Sequence, residues 1–157
     1  MKRIIIICIV SLFTFSCEEA KKKTSEDCIK EIVSALQVKF EKGNREYPDV
    51  YKPLEKDLKD FVKSIKPDAI ISSADKTFSK KYFLHKNWDL ETIEKDKCED
   101  EISIVFDIEN KSFQIQVNSC SIFEEDGDTH IAEGSLMFEY IFDTNCSYRF
   151  YGIIAAG

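Results

Sequence analysis

The sequence predicts an α+β fold, with two N-terminal helices packed on one face of a four-stranded antiparallel β-meander over residues 25–157. Three observations predict it. Residues 24–65 carry apolar side chains at helical spacing. From residue 101 onward, apolar and polar residues alternate with period two in four consecutive runs. Short turn sequences separate those runs, so each can fold back on the one before it.

The chain opens with a leader. Lys2 and Arg3 are followed by an apolar run, residues 4–15, interrupted only by Cys8, Ser11 and Thr14. A bilayer crossing needs about 20 such residues, so this shorter run suits the apolar part of a secretory signal. The alternative is a buried N-terminal helix or strand, but no polar second face marks one. The run ends Thr14-Phe15-Ser16-Cys17, followed by Glu18-Glu19-Ala20-Lys21-Lys22-Lys23. This resembles the lipobox of bacterial lipoproteins, in the loose form found in Bacteroidota. Ser16 fits the small position before the cysteine, while Thr14 and Phe15 depart from the commonest residues at theirs. Thr14 and Ser16 also suit ordinary signal-peptidase cleavage, which stays open as the competing reading.

The lipobox resemblance implies a signal peptide over residues 1–16, a lipid on Cys17 that includes palmitate-type chains, and a hydrophilic tether over residues 17–24. It implies residence in the cell envelope, on the outer membrane or cell surface, with the membrane as a partner through the lipid. Two or more acyl chains hold a protein stably, where one does not. Glu18 and Glu19 also resemble the surface-export signals of some Bacteroidota lipoproteins.

Beyond the leader, the chain is of single-domain size. With 43% hydrophobic and 32% charged residues, it is expected to fold. The leader carries two basic residues and no acid, so the remainder is more negative than the −7 of the whole chain. That charge opposes binding to nucleic acid and to anionic headgroups.

Thr24 is placed to cap the first helix, with Asp27 three residues on as the second half of a capping box. Cys28, Ile29, Ile32, Val33, Leu36 and Phe40 form its apolar stripe, and Gly43-Asn44 ends it. Pro48 suits the first turn of a second helix with the stripe Tyr51, Leu54, Leu58, Phe61, Val62 and Ile65. Pro53 allows a mild kink, and Lys66-Pro67 stops the helix. Residues 68–97 are less legible. Ala69-Ile70-Ile71 and Tyr82-Phe83-Leu84 read as short strands, and residues 88–93 as a short helix beginning at Trp88.

The four alternating runs are 101–108, 111–123, 129–142 and 146–156. Glu109-Asn110 and Asp126-Gly127 suit two-residue turns, the second of type I′, and residues 143–145 suit a three-residue loop with Asn145 at positive φ. These loops predict a register. Ile102, Ile104 and Phe106 face Val117, Ile115 and Phe113; those face Leu136, Phe138 and Tyr140; Phe150 and Tyr148 face Phe138 and Tyr140. A one-residue slip in any turn would invert a strand, so the agreement of all three supports the meander. The other face is half polar, with Glu139 opposite Arg149 and a patch of Met137, Tyr151 and Ile153.

The register also bears on the cysteines. Cys28, Cys98, Cys120 and Cys146 remain once the leader and the lipid site are set aside, an even number in an exported domain. Cys98 and Cys120 fall at the open end of the first hairpin. Cys146, opposite Phe142, lies about 30 Å away, beyond the ~7 Å that a disulfide tolerates between Cα atoms. The expected pairs are therefore Cys98–Cys120 and Cys28–Cys146, with free buried thiols as the alternative.

No catalytic constellation is visible. His85 and His130 have no partner at a metal-ligand spacing, and glycine-rich phosphate loops and nucleophile elbows are missing from the sequence. No cofactor or metal is expected. Glu124-Glu125-Asp126-Gly127-Asp128 reads as a charged hairpin tip rather than a weak Ca²⁺ site, lacking the ligand spacing of such loops. Phe106, Phe113, Phe138, Tyr140, Tyr148 and Phe150 read as a packed core, or alternatively as a ligand pocket with Gly134 and Gly152 leaving room.

Helices followed by a meander, ending in Tyr148-Arg149-Phe150-Tyr151-Gly152-Ile153-Ile154, resemble the cystatin/NTF2-like superfamily in architecture. There, N-terminal helices sit in the concavity of a bent sheet. The resemblance has no diagnostic motif and carries no residue roles. The expected function is a non-enzymatic binding domain, held on the membrane, for an envelope protein or small ligand. The alternatives are a carrier or enzyme using the aromatic pocket, or an inhibitor or immunity-type lipoprotein acting through its acidic loops.

Overall fold

The computed structural model describes residues 23–43, 54–82 and 100–156. The leader, Cys17, Pro48, Tyr51, Pro53, His85, the predicted helix at 88–93 and Cys98 lie outside them. The described elements are α1 (Ser25–Glu41), α2 (Glu55–Ser64), α3 (Pro67–Ser72), β1 (Thr77–Tyr82), β2 (Asp100–Asp107), β3 (Ser112–Glu125), β4 (Asp128–Phe142) and β5 (Tyr148–Ala156). The fold is α+β, and among the described residues its sheet is an antiparallel meander of five strands, not four, in the order β1-β2-β3-β4-β5.

α1 begins where the local chemistry sets it. Thr24 Oγ1 accepts from the Asp27 backbone N–H at 3.2 Å, and Asp27 Oδ2 accepts from the Thr24 backbone N–H at 3.0 Å. This reciprocal box satisfies donors that the first turn would otherwise leave bare. The predicted six-residue stripe of α1 is buried throughout. Gly43, at φ +68°, follows the helix in the left-handed region that glycine adopts without steric cost.

α2 buries Leu58, Phe61 and Val62, with Ile65 just beyond it. Lys66 is extended before Pro67, as steric contact with the proline ring requires. Gln37 of α1 meets the orphaned end of α2, its Nε2 donating to the Val62 and Ile65 carbonyls at 3.2 Å each. Pro67 then opens a third helix, where residues 69–71 read as a strand in the sequence. Its missing N–H costs nothing at a first turn, and Ile70 enters the core from there.

The second correction is β1. Thr77–Tyr82 pairs antiparallel with β2, placing Phe78 opposite Ile104 and Lys80 opposite Ile102. The sequence reading put a strand over residues 82–84 instead. Only Phe78 of Phe78 and Lys80 supplies the apolar side, where its ring lies 5.9 Å from that of Phe61. An edge strand carrying an inward-register lysine is a usual protection against further pairing.

The β2–β3 and β3–β4 registers are those expected from the turns, including Phe106↔Phe113 and Phe113↔Tyr140. Asp126 and Gly127 take φ +56° and +89°, both positive as a type I′ turn requires. The first turn is longer than two residues: Lys111 takes φ +50° and Asp107↔Ser112 closes the ladder.

The last register differs. Tyr148 pairs with Phe142, and Phe150 with Tyr140. The connection runs over residues 143–147 because Asp143 folds it on itself: its Oδ1 accepts from the Asn145 and Ser147 N–H groups at 2.8 and 3.0 Å. Positive φ falls on Cys146 (+67°), not on Asn145. The shift of two residues keeps Tyr148 and Phe150 on the apolar side. A bulge at Tyr151 then interrupts the ladder, so Gly152 faces Glu139 and Ile153 faces Phe138.

Candidate functional site

The aromatic residues form the inner face of the sheet. Phe113 is flanked by Phe106 at 5.1 Å and by Tyr140 at 4.6 Å between ring centroids, both stacked. Tyr148 meets Phe113 and Tyr140 edge-on at 5.5 and 5.8 Å, and Phe150 meets Tyr140 at 5.5 Å. Phe106, Phe113, Phe138 and Tyr140 are buried in the main core cluster with the stripes of α1 and α2, while Tyr148, Phe150 and Ile153 are partly buried against it. Lys39 of α1 lies over the Tyr148 ring, 5.4 Å from its centroid, a cation–π placement. These rings therefore spend their faces on one another and on the helices.

The outer face is a hydrogen-bonded polar strip beside apolar side chains. Gln116 Nε2 donates to Gln114 Oε1 at 3.0 Å, and Gln114 Nε2 donates to Glu139 Oε1 at 2.8 Å. Glu139 thus has a partner on β3. It faces Gly152 rather than Arg149, which faces Ile141. The expected patch is also rearranged by the bulge. Met137 pairs with Ile154, and Ile153 turns to the core side opposite Phe138. Tyr151, the extra residue, is 66% exposed and Ile154 43% exposed. The apolar set on this face is therefore Tyr151 and Ile154, both exposed, with half-buried Met137 beside Ile154. Ile153 leaves it because one additional residue between Phe150 and Gly152 inverts everything after it.

Beyond the body, β3 and β4 continue without a further paired strand among the described residues. β2 pairs with β3 only as far as Asn118, and β5 with β4 only as far as Ser135. Residues 119–134 are therefore a two-stranded ribbon closed by the Asp126-Gly127 turn. Isolated hairpins are marginal in water, and two features brace this one at its base. The buried Asp100 carboxylate accepts from the Cys120 N–H at 3.0 Å, and Cys120 is itself disulfide-bonded. Cys98, its expected partner, lies outside the described residues. On the ribbon, Ile131 is 50% exposed, and Glu125, Asp126, Asp128 and His130 are exposed.

A cleft of about 480 Å³ opens at the ribbon base, lined by residues 118–120 of β3, 133–135 of β4 and Ala156 of β5. Its Asn118 amide, Ser119 and Ser135 hydroxyls and Glu133 carboxylate are groups that hydrogen-bond a small polar ligand. Periodicity did not point to this cleft. It arises where the ladder leaves the body, and pairing lengths alone define that place.

At the opposite end, Cys28 and Cys146 form a disulfide with Cα atoms 4.9 Å apart. Asp107 in the β2–β3 turn accepts from the Asn110 side chain at 2.7 Å and from its backbone N–H at 3.0 Å. The side-chain bond first, and the backbone bond after it, hold its carboxyl below the usual aspartate range. Asp75, before β1, is held low mainly by the Ser73 hydroxyl. Among the described residues no three His, Cys, Asp or Glu side chains gather as a metal site, and no helix is long and apolar enough to cross a membrane.

No family model, no curated protein and no solved structure matches this chain.

Proposed function

We propose that the protein is a lipid-anchored envelope protein whose domain binds another protein through its outer surface. The observation that carries the anchor is the sequence around Cys17: a basic start, a short apolar run, a small residue, then cysteine and a hydrophilic stretch. The capping box at Thr24 supports it, since the first described helix has its N-cap seven residues beyond Cys17. A disulfide joining residues 118 positions apart also fits an oxidising compartment.

Binding through the surface, without catalysis, is favoured by where the apolar groups lie. The inner aromatic rings are committed to core contacts, whereas Tyr151, Ile154 and Ile131 are exposed. Tyrosine and aliphatic side chains on such a surface are what a protein partner would cover. A bent sheet filled by N-terminal helices, as in cystatin/NTF2-like proteins, is the architecture we assign to it.

A second reading, a carrier of a small polar ligand, is favoured by the cleft at residues 118–120 and 133–135, whose volume lies within the range of small-molecule sites. Metabolic labelling with a palmitate analogue tests the anchor. The wild-type chain should incorporate label and float with membranes, and Cys17→Ser should do neither. Tyr151→Asp with Ile154→Asp should abolish capture of the physiological partner by the lipid-free domain while leaving its melting temperature unchanged. A co-purifying small molecule, lost on Ser135→Trp, would replace the protein-binding reading with the carrier one.

A further inference from the structure

We propose that the end of the domain bearing the Cys28–Cys146 disulfide faces the lipid bilayer, and that the ribbon of residues 119–134 points away from it. This rests on lipidation of Cys17 and deepens that reading by assigning which surface meets the membrane.

The argument starts from where the chain enters the body. Lys23 donates through Nζ to the Asn145 carbonyl at 3.1 Å, and its ammonium also pairs with Glu31. One helical turn later, Cys28 is covalently joined to Cys146 of the same loop. The β2–β3 turn lies at this end too, because the Phe142 N–H donates to the Lys111 carbonyl at 2.8 Å. Cys17 precedes Lys23 by six residues, which even fully extended cover only about 20 Å. The lipid therefore holds this end within a short distance of the headgroups.

The ribbon tip is at the other extreme. Ser112 pairs with Ile141 beside the tethered end, and Glu125 pairs with Asp128 at the tip. The fourteen residues of Ser112–Glu125 span about 43 Å of strand from end to end, about twice the reach of the tether. Charge adds a bias against lying flat. Residues 119–134 carry five carboxylates and no Lys or Arg, while Lys23, Lys39 and Lys111 partly offset Glu26, Asp27, Glu31, Asp107, Glu109 and Asp143 nearer the tethered end. Anionic headgroups repel the first region more strongly than the second. The exposed Ile131 and the cleft at the ribbon base are thereby turned toward whatever lies beyond the membrane.

The test uses the full, acylated chain in vesicles of phosphatidylethanolamine and phosphatidylglycerol with an energy acceptor on the headgroups. A genetically encoded fluorescent amino acid is placed at exposed Asn145 in one variant and exposed Glu125 in another, with Glu109 and Asp128 as a second pair should either fail to fold. Transfer from 145 and 109 should be several-fold more efficient than from 125 and 128. Equal or reversed transfer in floating vesicles overturns the orientation and leaves the anchor standing. Failure of the wild-type chain to float overturns both.

Discussion

Phe113 and Tyr140 face each other across β3 and β4 with ring planes 2° apart and centroids 4.6 Å apart. Phe113 is fully buried and touches three other rings of the inner face. Phe113→Ala removes the centre of that stack and leaves a cavity that the flanking rings cannot fill. A loss of about 3–5 kcal/mol in urea unfolding is expected. Phe113→Leu should recover a good part of it, since it restores most of the volume.

The Cys28–Cys146 bond closes 118 residues of chain. Restricting so long a loop in the unfolded state stabilises the fold by about 2–5 kcal/mol. Cys28→Ala with Cys146→Ala should show that loss at equilibrium. The double substitution is a cleaner comparison than adding reductant, because Cys120 is also disulfide-bonded.

Thr24→Ala deletes one half of the α1 capping box and exposes the Asp27 N–H. The expected cost is about 0.5–2 kcal/mol, read as a lowered melting temperature. Thr24→Ser keeps the acceptor oxygen and should lie close to the wild type.

Asp107 provides a pH signature. Asn110 bonds stabilise its charged form, so its folded carboxyl titrates below its unfolded value. The turn's contribution is present above the unfolded pKa and is lost as pH falls through the lower folded pKa. Carboxyl NMR should find the Asp107 midpoint below 3.8, and Asn110→Ala should raise it toward that value. An unchanged midpoint in the variant would contradict the assigned cause.

Tyr151 is the extra residue of the β5 bulge. Removing it lets Phe150 run into Gly152 with Tyr140, Glu139 and Phe138 keeping the same partners. Its deletion should therefore cost less than about 1 kcal/mol. Inserting an alanine after Gly152 should cost far more, by turning Ile153 to solvent. Amide exchange across β4 and β5 distinguishes the two.

Much of this molecule was legible because its signals are local. The Thr24–Asp27 box, the α1 stripe and the Asp126-Gly127 turn each lie within a few residues, and two successive turns place the rows of β2, β3 and β4. The strand reading of residues 69–71 failed because a proline that stops one helix also suits the first turn of the next. The candidate surface was half legible. Met137 and Tyr151 belong to it, but Ile154 stands where Ile153 was expected.

The sequence by itself determined which residues cap, turn and alternate, and hence the inward row of each central strand, since side-chain period and backbone sterics act between near neighbours. Only the tertiary structure decided that Thr77–Tyr82 is a fifth strand, that β5 bulges at Tyr151, and that residues 119–134 leave the sheet as a ribbon. Those features depend on backbone hydrogen bonds between distant segments. Such bonds look alike for every side chain and leave almost no trace in composition.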